Sequence, residues 1–332
     1  MSTTASDVSV TPTQPSGPTG GDEQDAVVYG GRSPSRRTRA ATPYILIAPA
    51  LVLLAALLGY PIYRMIVLSF QKFELRQLIG GKAAEWIGLD NYSKLLDDEQ
   101  FWATLRRTLI FTGAAVSISL LGGLLVALLM RRVSGKIRIA MIVAMMFAWS
   151  MPQLVSSQVF KWMFDADFGV LNWLIDQIPG VDFHKHSWFI DPLQGWTVIT
   201  SLVVWGAIPF LAITLYAGLS QVPRELQEAA TVDGANSWRV FRHITLPILK
   251  PLIVIVTTLS VIWDFQLFTQ VWVLRDSKPE LDYQTLSTYA FSLAFGQGKY
   301  GFGSAIALIT VVLLLGVMAF YVRQMFKIGD AD

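Results

Sequence analysis

The chain contains no cysteine in 332 residues. Disulfides, thiol nucleophiles and thiolate metal sites are therefore excluded. Charge is also scarce: Asp, Glu, Lys and Arg make up 15% of the residues, against about 25% in an average globular chain. The net charge is +2, too small a positive field to suggest a nucleic-acid partner. There are only three histidines. The two in His184-Lys185-His186 have no further ligands clustered beside them, so no metal is expected there. No P-loop is present, because Gly135-Lys136 lacks both the earlier glycine and the following Ser or Thr. Nor is there an H-E-x-x-H pair or a Ser/His/Asp order. The chain is not expected to be an enzyme or to bind a cofactor.

What is abundant is apolar: 53% of the residues are hydrophobic, and the mean hydropathy is positive. That balance predicts an all-α membrane protein. A helix needs about 20 apolar residues to cross the hydrocarbon, and six stretches qualify: 44–70, 109–130, 139–160, 196–219, 251–274 and 302–326. Pro49, Pro61, Pro152 and Pro209 fall within them and predict kinks. Residues 1–40 are rich in Ser, Thr, Pro and Gly. They have too little apolar surface to offset their ordering entropy, so a disordered cytoplasmic tail is expected, ahead of a transmembrane domain over 41–328. The pair Arg36-Arg37 before an apolar run also fits a twin-arginine export signal. That run, however, is longer than the 7–15 residues of a signal-peptide core.

Basic residues set the orientation. With the N-terminus inside, the inner segments carry Arg32, Arg36, Arg37 and Arg39, then Arg131, Arg132, Lys136 and Arg138, and finally Arg323 and Lys327. The outer segments hold acids such as Asp97, Asp98, Glu99, Asp165, Asp167 and Asp182. Both termini are expected in the cytoplasm. Trp86, Trp102, Trp162, Trp173 and Trp188 in the outer loops suit the headgroup level. No internal repeat is evident, which weakens a reading as an inverted-repeat carrier.

One polar segment separates two of the apolar runs: "EAATVDGANSWRVFRHITLP", 228–247. Pro223 can open a helix, and Glu225 and Glu228 in its first turns complement the helix dipole. Gly234 permits a sharp turn, and Trp238, Val240, Phe241 and Ile244 begin a second amphipathic run. Small residues at Ala229, Ala230, Gly234 and Ala235 let another backbone come close. Chemistry alone leaves two readings, a docking knob on the cytoplasmic face or an amphipathic helix packed beneath its own bundle.

This segment closely resembles the EAA loop of ABC importer permeases, with Glu228, Ala229, Ala230, Asp233, Gly234, Ala235, Ile244, Leu246 and Pro247 standing where that family has them. Further stretches are similar to permeases of the carbohydrate-uptake class, which includes maltose, chitobiose and glycerol-3-phosphate systems: 43–70, 86–96, 101–112 and 161–175. The stretches 69–77 and 263–274 resemble actinobacterial chitobiose permeases. The resemblance runs from about residue 43 to the C-terminus. It implies a type I ABC importer permease fold with about six transmembrane helices, multi-pass in the cell membrane and embedded in its lipid. It also implies a coupling loop at about 220–250. There Glu228 would pair with a basic residue of an ATP-binding-cassette subunit, Gly234 would form the helix-to-helix turn, and Trp238 would open the second helix. The implied partners are an ATPase dimer that binds the ATP and Mg, a second permease subunit and an extracytoplasmic sugar-binding protein. One departure stands out: many members carry Leu-Thr-x-Gly-Gly-Pro after the fifth span, where this chain has "LRDSKPE", 274–280.

A sugar needs hydrogen bonds at its rim and flat apolar surface for its faces. The fifth span offers both, in Trp263, Asp264, Phe265, Gln266, Phe268 and Gln270. Asp264 is the only acid well inside a predicted span. Such residues are usually functional, although a bond between helices would also account for it. In the fourth span, Gly206 and Pro209 would loosen the helix beside Trp205 and Phe210; a simple packing kink is the other reading. Asp264, Phe265, Gln266, Phe268, Trp205 and Phe210 are the candidate substrate-pathway residues. Ser150, Gln153, Ser156, Ser157 and Gln158 in the third span suit bonds between helices. The expected function is the permease subunit of an ATP-driven importer for a di- or oligosaccharide, with chitobiose favoured. An ion-coupled carrier with Asp264 as proton relay, or a channel or scaffold subunit, is the alternative.

Overall fold

A computed structural model of the chain describes residues 36–329. Among these, five helices are long and apolar enough to cross a bilayer: Leu46–Ser69, Glu99–Arg132, Pro192–Ser220, Ser237–Leu274 and Tyr300–Met325. A sixth candidate span is a bent pair, Gly135–Ser150 with Gln153–Met163.

The chain divides into two units, residues 1–57 and 58–332. In the first, α1 (Arg36–Leu54) begins at Arg36. The last five residues of the expected tail are thus helical, since no Gly or Pro interrupts 36–42. The remainder of that tail lies outside the described residues.

The second unit holds α2 (Tyr60–Ser69), with Pro61 in its first turn. A two-stranded hairpin follows, β1 (Gln71–Lys72) against β2 (Glu85–Trp86), around the short α3 (Leu75–Ile79). The helix α4 (Asp90–Leu96) carries buried Asn91, whose Nδ2 donates to the carbonyls of Ser69 and Gln71 at 2.9 and 3.0 Å. The longest helix, α5 (Glu99–Arg132), has 34 residues. At 1.5 Å per residue it spans about 51 Å, more than the ~30 Å of hydrocarbon, so polar turns project at its ends.

The third predicted span is not one straight helix. The helices α6 (Gly135–Ser150) and α7 (Gln153–Met163) are bent by 96°. Met151 and Pro152 between them are extended, with ψ of 127° and 134°. Proline lacks the N–H that would continue the ladder and disfavours helical backbone in the residue before it. Beyond α8 (Val170–Asp176), α9 (Pro192–Ser220) passes Pro209 within a single helix.

Next come α10 (Arg224–Val232) and α11 (Ser237–Val240). A π turn, Phe241–Thr245, joins α11 to α12 (Leu246–Phe265), so the helical path continues through Pro247 and Pro251. The fifth span is therefore longer at its inner end than 251–274. It is interrupted at 266–268 before α13 (Thr269–Leu274). The helices α14 (Leu286–Phe291) and α15 (Tyr300–Gly329) complete the unit.

The tightest helix pairing is α5 with α9. A Cβ on Gly123 would sit 2.6 Å from the Leu211 Cβ, and one on Gly122 would sit 2.9 Å from the Ile208 Cδ1. Small residues let backbones approach this closely in lipid, where packing rather than water drives association. Around this seam Ala127, Leu211, Leu215, Leu249 and Val256 form a buried cluster. Leu121 and Leu125 of α5 and Phe147 of α6 remain exposed, as a lipid-facing surface requires.

Candidate functional site

Two features of the second unit carry the candidate site, a helical knob and a cavity. The knob starts where α9 ends. Pro223 precedes α10, with Glu225 in its first turn. The helix closes on Asp233, and Gly234 takes a left-handed φ of +83°. The N–H of Ala235 then reaches the Ala230 carbonyl at 2.9 Å and that of Gly234 the Thr231 carbonyl at 3.0 Å, so the last carbonyls of α10 are satisfied. Asn236 caps α11 by accepting the N–H of Arg239 at 2.9 Å. Glu228, Ala229, Asp233 and Gly234 are exposed, with Ala230 and Ala235 half-buried at the turn. Val232 is 87% and Trp238 65% exposed, and Trp238 stacks on Phe241. An acid thus stands beside uncovered apolar side chains on a rigid two-helix turn. Arg131, in the last turn of α5, donates to Gln227 Oε1 at 3.3 Å.

The cavity, of about 520 Å³, forms where three helices are disturbed. The α6–α7 bend contributes Trp149 and Gln153, α9 contributes Trp205 and Phe210, and the α12–α13 interruption contributes Asp264, Gln266 and Phe268. Trp149 stacks on Phe210 with centroids 5.9 Å apart, and Phe210 meets Trp263 edge-on at 5.4 Å. Pro209 cannot donate to the Trp205 carbonyl one turn back, so that carbonyl is freed from the α-helical ladder. The interruption at 266–268 is pinned from α14, because Thr285 Oγ1 donates to the Leu267 carbonyl at 2.8 Å.

Asp264 is 6% exposed, and its Oδ2 has no hydrogen-bond partner among the described residues. None of the ion pairs among these residues includes it, so the alternative of a bond between helices finds no partner for Asp264. A buried oxygen left without a donor is costly. The cavity in front of it is where a donor would have to come from. Aromatic faces, a carboxylate and amides around a cleft of this size suit a small polyol, whose hydroxyls donate and whose ring faces are apolar.

Five of the six pathway candidates, Trp205, Phe210, Asp264, Gln266 and Phe268, share the cavity wall. Phe265 does not. It is 3% exposed and packs with Leu95, Phe101 and Leu286 on another side of α12. Successive helical residues are rotated by about 100°, so Asp264 and Phe265 face different neighbours. The hydroxyls of Ser150, Ser156 and Ser157 also depart from expectation. They bond carbonyls of their own chain three or four residues back, Phe147 and Gln153, rather than another helix. Trp149 and Ser260 line the cavity and were not anticipated. Trp149 stands just before the Met151-Pro152 break, which was the available clue.

His186 bonds Gln194 Oε1 at 2.6 Å and packs against Phe183 and Trp188. No group of three or more potential metal ligands occurs among the described residues. In the divergent stretch 274–280, Arg275 forks onto the Glu280 carboxylate, with its guanidinium 4.7 Å from the ring centroids of both Phe189 and Tyr283. The Arg275 hydrogen bond holds the Glu280 carboxyl below its usual range. Asp276 and Ser277 adopt φ of 53° and 61°. The left-handed turn is therefore made without glycine, and Lys161 of α7 ion-pairs with Asp276.

Residues 119–327 match the family described as binding-protein-dependent transport system inner membrane component. Over 315 residues the chain is 38% identical to the diacetylchitobiose uptake system permease protein DasB of Streptomyces coelicolor, covering 94% of this chain and 96% of that protein. Over 279 residues it is 34% identical to the sulfoquinovosyl glycerol transport system permease protein SmoG of Agrobacterium fabrum, covering 84% and 88%. Its fold matches a chain of a bacterial ABC transporter involved in the import of the acidic polysaccharide alginate, with a TM-score of 0.73, 21% identity and coverage of 88% and 97%.

Proposed function

The chain belongs to the binding-protein-dependent transport system inner membrane components, and from that membership we propose that it is the membrane-spanning subunit of an ATP-driven importer for a di- or oligosaccharide. A chitobiose-type sugar is favoured by the 38% identity to a diacetylchitobiose permease. The fold is the all-α type I importer permease fold, multi-pass in the membrane.

One observation carries the reading. The knob and the cavity are two ends of the same helical run. From Ser237 the chain is helical through the π turn to Phe265, with Asp264 in the last turn. That path of 29 residues is about 40 Å long, enough to link a cytoplasmic surface with the depth of the bilayer. The mechanism follows. ATPase subunits grip the α10–Gly234–α11 turn through Glu228 and the exposed Val232 and Trp238. Closure of the two ATPases draws the knobs together, and α9 and α12 carry that motion to Phe210 and Asp264. The cavity then alternates between inward and outward access. A sugar delivered by an extracytoplasmic binding protein stacks on Phe210 and Trp263 and donates hydroxyls to Asp264 and Gln266. A second permease chain closes the open side. ATP and Mg are handled in the partner ATPase.

The test is co-purification from mild detergent combined with uptake of labelled disaccharide. Wild type should retain a P-loop ATPase and a second six-span chain. Glu228→Ala and Gly234→Ala should insert normally but lose the ATPase and uptake together. Uptake that survives without ATP, or that collapses with the proton gradient while ATP is held constant, would replace this reading with a channel or an ion-coupled carrier.

A further inference from the structure

A second cavity, of about 960 Å³, lies on the flank of α5 and α9, and the mechanism above does not use it. Its walls are apolar along Ile110, Ala114 and Ile118 of α5 and along Val204 and Ile208 of α9. Its mouth is not apolar. Arg106 and Arg107 both line it, as does Asp282. We propose that this groove seats one anionic phospholipid, with its phosphate on Arg106 and Arg107 and one acyl chain along α5 and α9.

Three observations select that occupant. The first is charge. Arg107 is shared between Asp282 at 3.5 Å and the Gln284 carbonyl at 3.2 Å. Arg106 is exposed, and no acid among the described residues lies within ion-pair distance of it. Two arginines against one aspartate leave a net positive mouth with free guanidinium donors, which suits the forked recognition of phosphate. Asp282 is the one acid among the lining residues and already engages Arg107, so the lining offers little to the ammonium of a zwitterionic headgroup.

The second observation is depth. Arg106 and Arg107 immediately precede the apolar run that starts at Leu109. Beside them, Trp196 donates its indole N–H to the Asp282 carbonyl at 3.0 Å. Arginine with a tryptophan at the start of an apolar run marks the headgroup level. The third is length. From Arg106 to Ile118 is twelve helical steps, or about 18 Å, close to the ~15 Å of hydrocarbon in one leaflet. The groove ends where α5 and α9 close at Gly122 and Ile208. An apolar transmembrane helix of a partner would fill the groove but offer the two guanidiniums no anion. Trp205 lines both this groove and the central cavity, so the seated lipid backs the wall of the transport site.

The experiment is native mass spectrometry of the full-length chain in mild detergent, titrated separately with phosphatidylglycerol and phosphatidylcholine. Wild type should hold one phosphatidylglycerol at activation energies that strip phosphatidylcholine. Arg106→Gln should weaken phosphatidylglycerol binding about tenfold or more. Ala114→Trp, which fills the groove without touching the charge, should abolish the bound species. Arg132→Gln, at the other end of α5, should bind as wild type. Each variant must show the wild-type Tm before lipid is added; where Ala114→Trp does not, Ile118→Phe replaces it. Equal retention of both lipids, or unchanged binding in Arg106→Gln and the groove-filling variant, overturns the proposal. So does efficient cross-linking of Ala114→Cys to a second polypeptide in intact membranes, since that would put protein in the groove.

Discussion

Tyr289 donates its hydroxyl to Asp98 Oδ2 at 2.5 Å, across 191 residues of sequence. The other carboxylate oxygen of Asp98 accepts the N–H of Gln100 at 2.9 Å and caps α5. One aspartate therefore fixes the start of the longest helix and ties it to α14. Tyr289→Phe should lower stability by about 1.5–3 kcal/mol, as expected for a hydrogen bond to a charged group. Burial first, and then the Asp98 bond, raise the Tyr289 pKa. A raised folded-state pKa gives a contribution that is complete below the unfolded value of about 10 and is lost as pH rises through the folded value. The Tm of wild type should thus be insensitive to this group from pH 7 to about 10 and fall above it. Tyr289→Phe should lack that alkaline component. An equal alkaline loss in both proteins would dissociate the bond from stability.

The α5–α9 seam predicts a steric contrast between two glycines of one helix. A methyl at Gly123 would meet Leu211 Cβ at 2.6 Å and the Ala212 backbone nitrogen at 3.2 Å, whereas one at Gly113 would meet nothing within 4 Å. Gly123→Ala should cost about 1–3 kcal/mol. Gly113→Ala should be neutral or stabilising by up to about 1 kcal/mol. Thermal unfolding of the two variants in one detergent decides the matter, and similar shifts would refute the close approach.

Neighbouring residues on α12 should separate transport from folding. Asp264→Asn keeps shape and volume in the cavity, so expression and Tm should hold while sugar uptake falls about tenfold or more, the loss expected when one of the carboxyl oxygens facing the hydroxyls is replaced by an amide donor. Phe265→Leu should do the reverse, costing about 1–1.5 kcal/mol of stability with uptake largely kept, because Phe265 packs in the Leu95 cluster. Uptake assays and Tm on both variants check this. Loss of uptake in Phe265→Leu at unchanged Tm would return that residue to the pathway.

The turn at 275–280 carries two non-glycine residues in left-handed backbone. Ser277→Gly should relieve strain and stabilise the folded chain by up to about 1 kcal/mol. Arg275→Lys keeps the charge but loses the fork on Glu280 and the planar contact with Phe189 and Tyr283. It should destabilise by about 1–2 kcal/mol. The pKa of Glu280 is depressed, so its share of stability is present above the unfolded value and lost as pH falls through the folded one. The Arg275→Lys variant should therefore show a smaller acid-side drop in Tm than wild type.

Most of the span pattern and the α10–α11 turn could be read from local sequence. Apolar runs must be helical in lipid because no water is there to satisfy the backbone, so length and hydropathy locate spans 2, 4 and 6 within their helices. Gly234 likewise announced its own conformation, since φ of +83° is open to glycine at little cost. The proline at 152 signalled a kink, but not that it would be a 96° break that turns Trp149 toward Phe210. The serines of the third span pointed to bonds between helices, yet a hydroxyl in a helix can turn back on its own carbonyls, and these do.

Sequence alone thus determined that the chain lives in a membrane, roughly where it crosses, and where the polar α10–α11 turn falls, because hydropathy, proline and glycine act within a few residues of themselves. Which side chains face the cavity was decided only by tertiary structure. Asp264 and Phe265 are adjacent in sequence and differ by about 100° around α12. Their fates were set by distant segments: Thr285 pinning the Leu267 carbonyl, Leu95 and Leu286 enclosing Phe265, and Phe210 of α9 meeting Trp263. The rotation of a helix in lipid is chosen by what packs against it, and nothing within the helix itself records that choice.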